Sequence, residues 1–249
     1  MIELVAPAKL TWYFEITGRR EDGYHLIRSE MVTLDFADRL QLDESQDYLR
    51  LSTPRPDVPV DETNLVARAL GLVGRRAGVT IDKVIPSGGG LGGGSADAGA
   101  VLRWAGGVSP EEALTLGADV PFCQLGGRAL VEGVGEKLTP LPFKSRKVTL
   151  ITTDFSIDTA DCYRAYDDWI RRGWKPDERN HLEKAARTVE PRLARTIDWL
   201  RGEIGEDVHL AGSGSSMFVI GEVGLPAGEM AGPVGSLRIH HTFTTPATG

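Results

Sequence analysis

The sequence predicts a soluble globular chain of antiparallel strands and helices, forming one large or two small domains around a glycine-rich anion cradle. Three observations predict it. The first is the stretch from Gly88 to Asp97, in which six of the first seven residues are glycine. The second is its flanks. Val79 to Ile85 alternates as a strand does, and Ser95 to Leu102 has small and apolar residues at helical spacing, with Ser95 and Asp97 as candidate caps. The third is a hydrophobic fraction of 41% with 25% charged residues, ordinary for a chain of 249 residues that buries a core.

Each glycine in an ordered element costs about 0.5–1 kcal/mol relative to alanine, so six imply roughly 3–6 kcal/mol that a plain linker has no reason to carry. Strand, bare turn and helix together present backbone N–H groups to an anion, so the stretch reads as a polyphosphate cradle. The competing reading is a tight turn with close backbone packing. No Gly-Lys-Ser/Thr follows, so it is not a Walker A loop. Gly88, Gly90 and Gly93 satisfy the dinucleotide-binding spacing only trivially, and no βαβ continuation with a ribose-binding acid follows.

The net charge of −7 argues against a broad nucleic-acid surface. Cys123 and Cys162 form no metal or redox pattern, which fits a reduced, cytoplasmic compartment. Glu3, Lys9 and Glu15 interrupt any signal-peptide run, and no stretch approaches the roughly 20 apolar residues of a membrane span.

Ile2 to Val5 reads as a short strand stopped by Pro7, and Leu10 to Thr17 as a second strand. Lys9 lies between them, as either a solvated lysine or a directed one. Gly18 to His25 is a polar turn: either plain hairpin punctuation, or a ring-recognition loop with Tyr24 as a stacking face and His25 as a polar edge. Arg28 to Phe36, Arg39 to Leu42 and Tyr48 to Leu51 alternate as antiparallel strands, and Pro54 to Pro59 is a proline-rich loop. A helix opens at Thr63 and ends by Gly74 and Gly78.

Ser109-Pro110-Glu111-Glu112 is a strong helix start. Asp119, flanked by apolar residues and Pro121, either caps a turn or is held in a partly dry site. Arg128 to Val131 and Glu136 to Leu138 form a hairpin about Gly133 and Gly135. Lys144 to Lys147 marks a domain boundary, dividing the chain into 1–146 and 147–249. Val148 to Thr152 is a strand, and helices follow over Thr159 to Arg171, Asn180 to Val189 and Pro191 to Ile204. Gly212 to Ser216 is a second Gly/Ser turn, structural or a second wall of the phosphate site, with a strand after it. His240-His241 has no partner at metal spacing.

Pro7-Ala8-Lys9-Leu10, Gly18-Arg19-Arg20 with Asp22-Gly23-Tyr24-His25, the glycine loop, Gly117 to Phe122, Gly133 to Glu136 and Gly212 to Ser215 stand in this order. Together they resemble the GHMP kinase superfamily, over most of the chain from Val5 to about Ile220. The Gly18–His25 segment is more specific and is similar to the branch acting on a cytidine diphosphate-linked polyol. The resemblance implies an α+β fold: an N-terminal α+β domain carrying the loop, a C-terminal ferredoxin-like domain, and a site between them. It implies ATP as co-substrate, with Mg²⁺ expected alongside, and phosphorylation of the 2-hydroxyl of 4-diphosphocytidyl-methylerythritol in the non-mevalonate route to isoprenoids.

By motif position the resemblance makes Lys9 and Asp119 the catalytic pair. Thr11, Tyr24, His25, Thr159 and Tyr163 become the substrate contacts. Lys83, Pro86, Ser87, Gly88, Gly89, Gly90, Leu91, Gly92, Gly93, Gly94, Ser95 and Ala96 become the ATP contacts. No nucleic acid, membrane or dedicated metal site is expected, and the chain is expected to be a monomer or weak homodimer. Phosphoryl transfer through a loose transition state needs positioning and charge stabilisation more than a strong base, which suits an Asp beside a Lys. Thr11 departs from the family's Asn, Trp104 to Leu116 is short, and the Gly/Pro-rich Leu225 to Ser236 replaces a helix. The alternatives are a GHMP kinase with another alcohol acceptor, or a non-catalytic nucleotide sensor on the same fold.

Overall fold

The computed structural model describes residues 1–45, 50–53, 56, 58–176, 179–205 and 207–247. Tyr48, Leu49 and Pro54 of the expected strand and loop lie outside them. The chain opens on two long strands, β1 (Ile2–Arg19) and β2 (His25–Asp43), paired antiparallel from Ile2↔Leu42 to Arg19↔His25. Neither the break at Pro7 nor the division of β2 after Phe36 occurs. Pro7 lies where the register slips, between Pro7 and Lys9, and a residue with no N–H is tolerated at such an irregularity. At the same place Thr244 and Thr245 near the C-terminus pair with Leu34 and Thr33 of β2.

β3 (Arg50–Ser52), α1 (Leu65–Leu72) and β4 (Gly78–Asp82) follow, with β3 and β4 parallel where an antiparallel strand was expected. The intervening helix supplies the crossover that a parallel pair requires. Asn64 caps α1, accepting from Val66 N at 2.8 Å, so the helix opens just after the expected Thr63. α2 (Gly93–Trp104) begins before its candidate caps: Gly92 is the cap residue, and Ser95 and Asp97 are already helical. α3 (Pro110–Leu114) carries the complete Ser109–Glu112 capping box, followed by α4 (Val120–Leu125) and the hairpin of β5 (Arg128–Gly133) and β6 (Lys137–Pro140).

β7 (Lys147–Thr153) starts a second run with α5 (Thr159–Arg171), α6 (Glu183–Val189) and α7 (Pro191–Ile204). α6 starts later than Asn180 because that amide donates to Leu210 O at 3.1 Å and Gly212 O at 2.7 Å. β8 (His209–Leu210), β9 (Met217–Ile220), β10 (Gly228–Gly232) and β11 (Gly235–Thr245) complete the chain. The Gly/Pro-rich stretch therefore forms a β-hairpin.

β1 to β6 assemble around β2, and β10-β11-β7-β9-β8 form a second antiparallel array that joins it through β11. Asp35 seals the junction by accepting from Phe243 N at 3.0 Å and from the Thr242 hydroxyl. The described residues form two cores. Leu10, Leu40, Leu70, Ile81 and Leu102 pack between the first strands and α1–α2. Ile151, Leu193, Ile197, Leu210 and Met217 pack under α5–α7. This is an α+β fold of two domains.

Candidate active site

The segment from Pro86 to Gly92 leads from β4 into α2 and is held from two sides. Lys9 N on β1 donates to Leu91 O at 3.1 Å, and Ser216 N donates to Gly89 O at 3.1 Å. Gly90 has φ +75°, and a Cβ there would lie 2.1 Å from Ala211 O. Gly92 has φ +68°, and a Cβ there would lie 2.9 Å from Lys9 Cγ. Only glycine satisfies both the left-handed backbone and the space. Gly212 to Ser216 thus backs the loop as a second wall.

No side chain caps α2, and its first turn carries no acid. Its leading N–H groups and positive dipole end are left to the cavity, where an anion is the matching ligand.

Lys9 stands just past the register slip in β1 and is buried. Its ammonium lies 3.2 Å from Asp119 Oδ2 and donates to Thr11 Oγ1 at 3.2 Å. Asp119 occupies the cap position of α4 but makes no capping hydrogen bond, so its carboxylate faces the cavity instead of closing a turn. Thr11 is engaged by Lys9.

A cavity of about 990 Å³ joins this pair and the glycine loop to Tyr24, His25, Thr159 and Tyr163. His25 stacks on Tyr163 with centroids 4.8 Å apart and planes at 26°. Burial pushes the Tyr163 phenol far up, so it stays a neutral donor. Tyr24 is 60% exposed, with the Arg20 guanidinium 5.5 Å from its ring centre. Thr159 Oγ1 lies 3.0 Å from Ser213 Oγ, tying α5 to the second turn.

Asp167 escaped the sequence reading, whereas Ser213 belongs to the Gly212–Ser216 turn already read as structural or as a second wall. Asp167 Oδ1 lies 2.7 Å from His25 Nε2, and Arg19 reaches the other carboxylate oxygen at 3.4 Å. Ser213 lines the same cavity. Thr159, Tyr163 and Asp167 recur every four residues on α5, a one-face stripe that would have pointed to Asp167.

Lys83 is corrected: it does not line the cavity. Its ammonium is 2.7 Å from Asp97 Oδ2 and also binds Asp38, with all three side chains at most 4% exposed. A strand that ends at Asp82 turns Lys83 inward beneath Gly93, and two buried acids hold it there. Leu91 and Ala96 are also absent from the lining, since both side chains belong to the first core. Pro86 to Gly90 and Gly92 to Ser95 do line the cavity. Among the described residues, no group of three His, Cys, Asp or Glu side chains is arranged to hold a metal ion. No helix among them is long and apolar enough to cross a membrane.

Residues 63–127, which contain the loop and Asp119, match the GHMP kinases N terminal domain, and this sets the class as a GHMP kinase. Relatives extend the match along the chain. The 4-diphosphocytidyl-2-C-methyl-D-erythritol kinase of Mesorhizobium japonicum is 33% identical over 93% of this chain and 90% of the relative. That of Paracoccus denitrificans is 36% identical over 86% of this chain and 84% of the relative. The chain belongs to the 4-diphosphocytidyl-2-C-methyl-D-erythritol kinase family. A solved 4-(cytidine 5'-diphospho)-2C-methyl-D-erythritol kinase superposes with a TM-score of 0.73 at 31% identity, covering 98% of this chain and 100% of the other. A mevalonate kinase shares the fold alone, with a TM-score of 0.61 at 13% identity over 100% of both chains.

Proposed function

We propose that this chain transfers the γ-phosphoryl group of ATP to the 2-hydroxyl of 4-diphosphocytidyl-2-C-methyl-D-erythritol, a step of non-mevalonate isoprenoid synthesis. The observation that carries the reading is one cavity shared by the uncapped glycine loop, the Lys9–Asp119 pair and the Tyr24–His25–Tyr163 cluster. The loop amides and the α2 N-terminus grip the ATP phosphates. Tyr24 and Tyr163 offer faces to the cytosine ring, each worth about 1–3 kcal/mol by analogy with base stacking. His25 and Thr159 supply polar contacts to the substrate.

The hydroxyl oxygen attacks the γ-phosphorus while the bond to the β–γ bridging oxygen breaks, and that bond's electrons leave with ADP. Asp119 orients the hydroxyl and takes its proton late, as a loose transition state allows. Lys9 offsets the charge that gathers between them. Mg²⁺ carried with the nucleotide would neutralise part of the phosphate charge, using phosphate and water oxygens as ligands. We place the domain boundary between 146 and 147, and the protein in the cytoplasm as a monomer or weak homodimer.

The test is ADP release from ATP with the cytidyl substrate, set against mevalonate, phosphomevalonate and homoserine, with phosphorus NMR locating the new ester. A preference for any of the other three alcohols would overturn the assignment.

A further inference from the structure

The cluster that removes Lys83 from the cavity lies directly beneath the phosphate loop and ties its two ends together. Asp38 Oδ1 on β2 accepts from Val84 N at 2.5 Å and Ile85 N at 2.8 Å, where the chain leaves β4 for the loop. Asp97 belongs to α2, where the chain leaves the loop. Lys83 bridges the two carboxylates, and its ammonium would lie 3.1 Å from a Cβ placed on Gly93, the first residue of α2.

Two carboxylates and one ammonium give this sealed cluster a charge of −1 unless one acid keeps its proton. Asp97 Oδ1 is buried with no hydrogen-bond partner. An ionised carboxylate with an unsatisfied oxygen in a dry site costs far more than a protonated one.

We propose that Asp38, Lys83 and Asp97 form a proton-holding clamp that positions the phosphate loop. With the proton on Asp97 the clamp is neutral and the loop grips ATP. Once it is lost, a negative charge sits beneath the bound phosphates and weakens that grip. These are positioning residues, since none touches the substrate. Burial and the neighbouring Asp38 push the Asp97 carboxyl up to about 7, while Lys83 opposes them in part. The change therefore falls near neutral pH.

The other groups around α2 are accounted for. Cys123 on α4 is held neutral, its thiol pushed far up by burial. Lys9 on β1 and Asp119 at the start of α4 engage each other beyond Gly92. Arg103, near the far end of α2, donates to Val5 O and to Cys123 O. Arg68 on α1 donates to Thr115 O.

This inference rests on ATP binding at the glycine loop, and the experiment separates the two claims. The dissociation constant of a non-hydrolysable ATP analogue is measured by calorimetry from pH 6 to 8.5 for the wild type, Asp97→Asn and Asp38→Asn. The nucleotide's own titration is common to all three proteins. Asn at 97 accepts from Lys83 as before and cannot ionise. Asn at 38 leaves a single carboxylate to pair with Lys83.

A negative charge newly buried beneath the loop makes the wild type lose roughly three- to tenfold more affinity over this range than either variant. Equal pH slopes in the wild type and a folded variant would overturn the clamp. Failure of the wild type to bind the analogue at any pH would instead overturn the ATP reading. Difference infrared spectroscopy gives a second readout, independent of variant affinity. A protonated-carboxyl band is expected in the wild type at pH 6, lost by pH 8.5 and missing from Asp97→Asn. A wild-type spectrum without that band would also overturn the proposal.

Discussion

Lys9 and Asp119 meet 3.2 Å apart, and Gly92 lies against both: a Cβ at 92 would stand 2.9 Å from Lys9 Cγ and 3.5 Å from Asp119 Oδ2. The phosphate loop and the ion pair therefore set each other's position. A Gly92→Ala substitution should move both. A non-glycine residue at this φ costs about 1–2 kcal/mol, read as a lower urea midpoint. Turnover should fall at least about tenfold, since small displacements of reacting groups are costly. Wild-type turnover in the Gly92→Ala variant would show that the contact is not needed.

Asp119→Asn keeps the shape of the side chain and removes its capacity to take a proton. Turnover should fall by about a hundredfold or more. Binding of an ATP analogue should persist, because the loop that grips the phosphates is intact. Near-normal turnover in this variant would remove Asp119 from the chemistry.

Asp167 holds His25 by a hydrogen bond of 2.7 Å. Asp167→Ala frees the imidazole and removes a charge-assisted bond worth about 1.5–3 kcal/mol. The KM for the cytidyl substrate should rise roughly tenfold or more, with the KM for ATP unchanged. An equal rise in both would indicate a general loosening of the site.

His240 packs its ring 4.6 Å from Phe36, where β11 crosses the first strands. Burial, and then the nearby Arg238, lower its tendency to take a proton. The neutral form is favoured in the fold. Its contribution to stability is present above the ordinary histidine range and is lost as pH falls through the lowered value. Melting temperature should drop on acidification below about pH 6.5, and His240→Phe should reduce that drop. An unchanged acid profile in the variant would assign the loss to other groups.

The glycine loop was legible because seven adjacent positions left almost no other use for such a sequence. The capping box at Ser109 and the α5 helix were legible because both rest on contacts within one turn. The run of β1 through Pro7 was not legible, because it depends on where β2 slips and where β11 arrives. Lys83 was misplaced for a similar reason: its partners are 45 and 14 residues away, and only their burial turns a plausible phosphate ligand into an internal ion. Asp97 had the residue type of a helix cap, but the first turn began earlier and carried it inward.

By itself the sequence determined the pieces whose physics is local: a side-chain-free bend, its strand and helix flanks, and the residue types for moving a phosphoryl group. Tertiary structure alone decided which charges face the cavity and which are sealed under it. A charge's role follows from its distance to other charges and to water, and packing sets those distances between segments far apart along the chain.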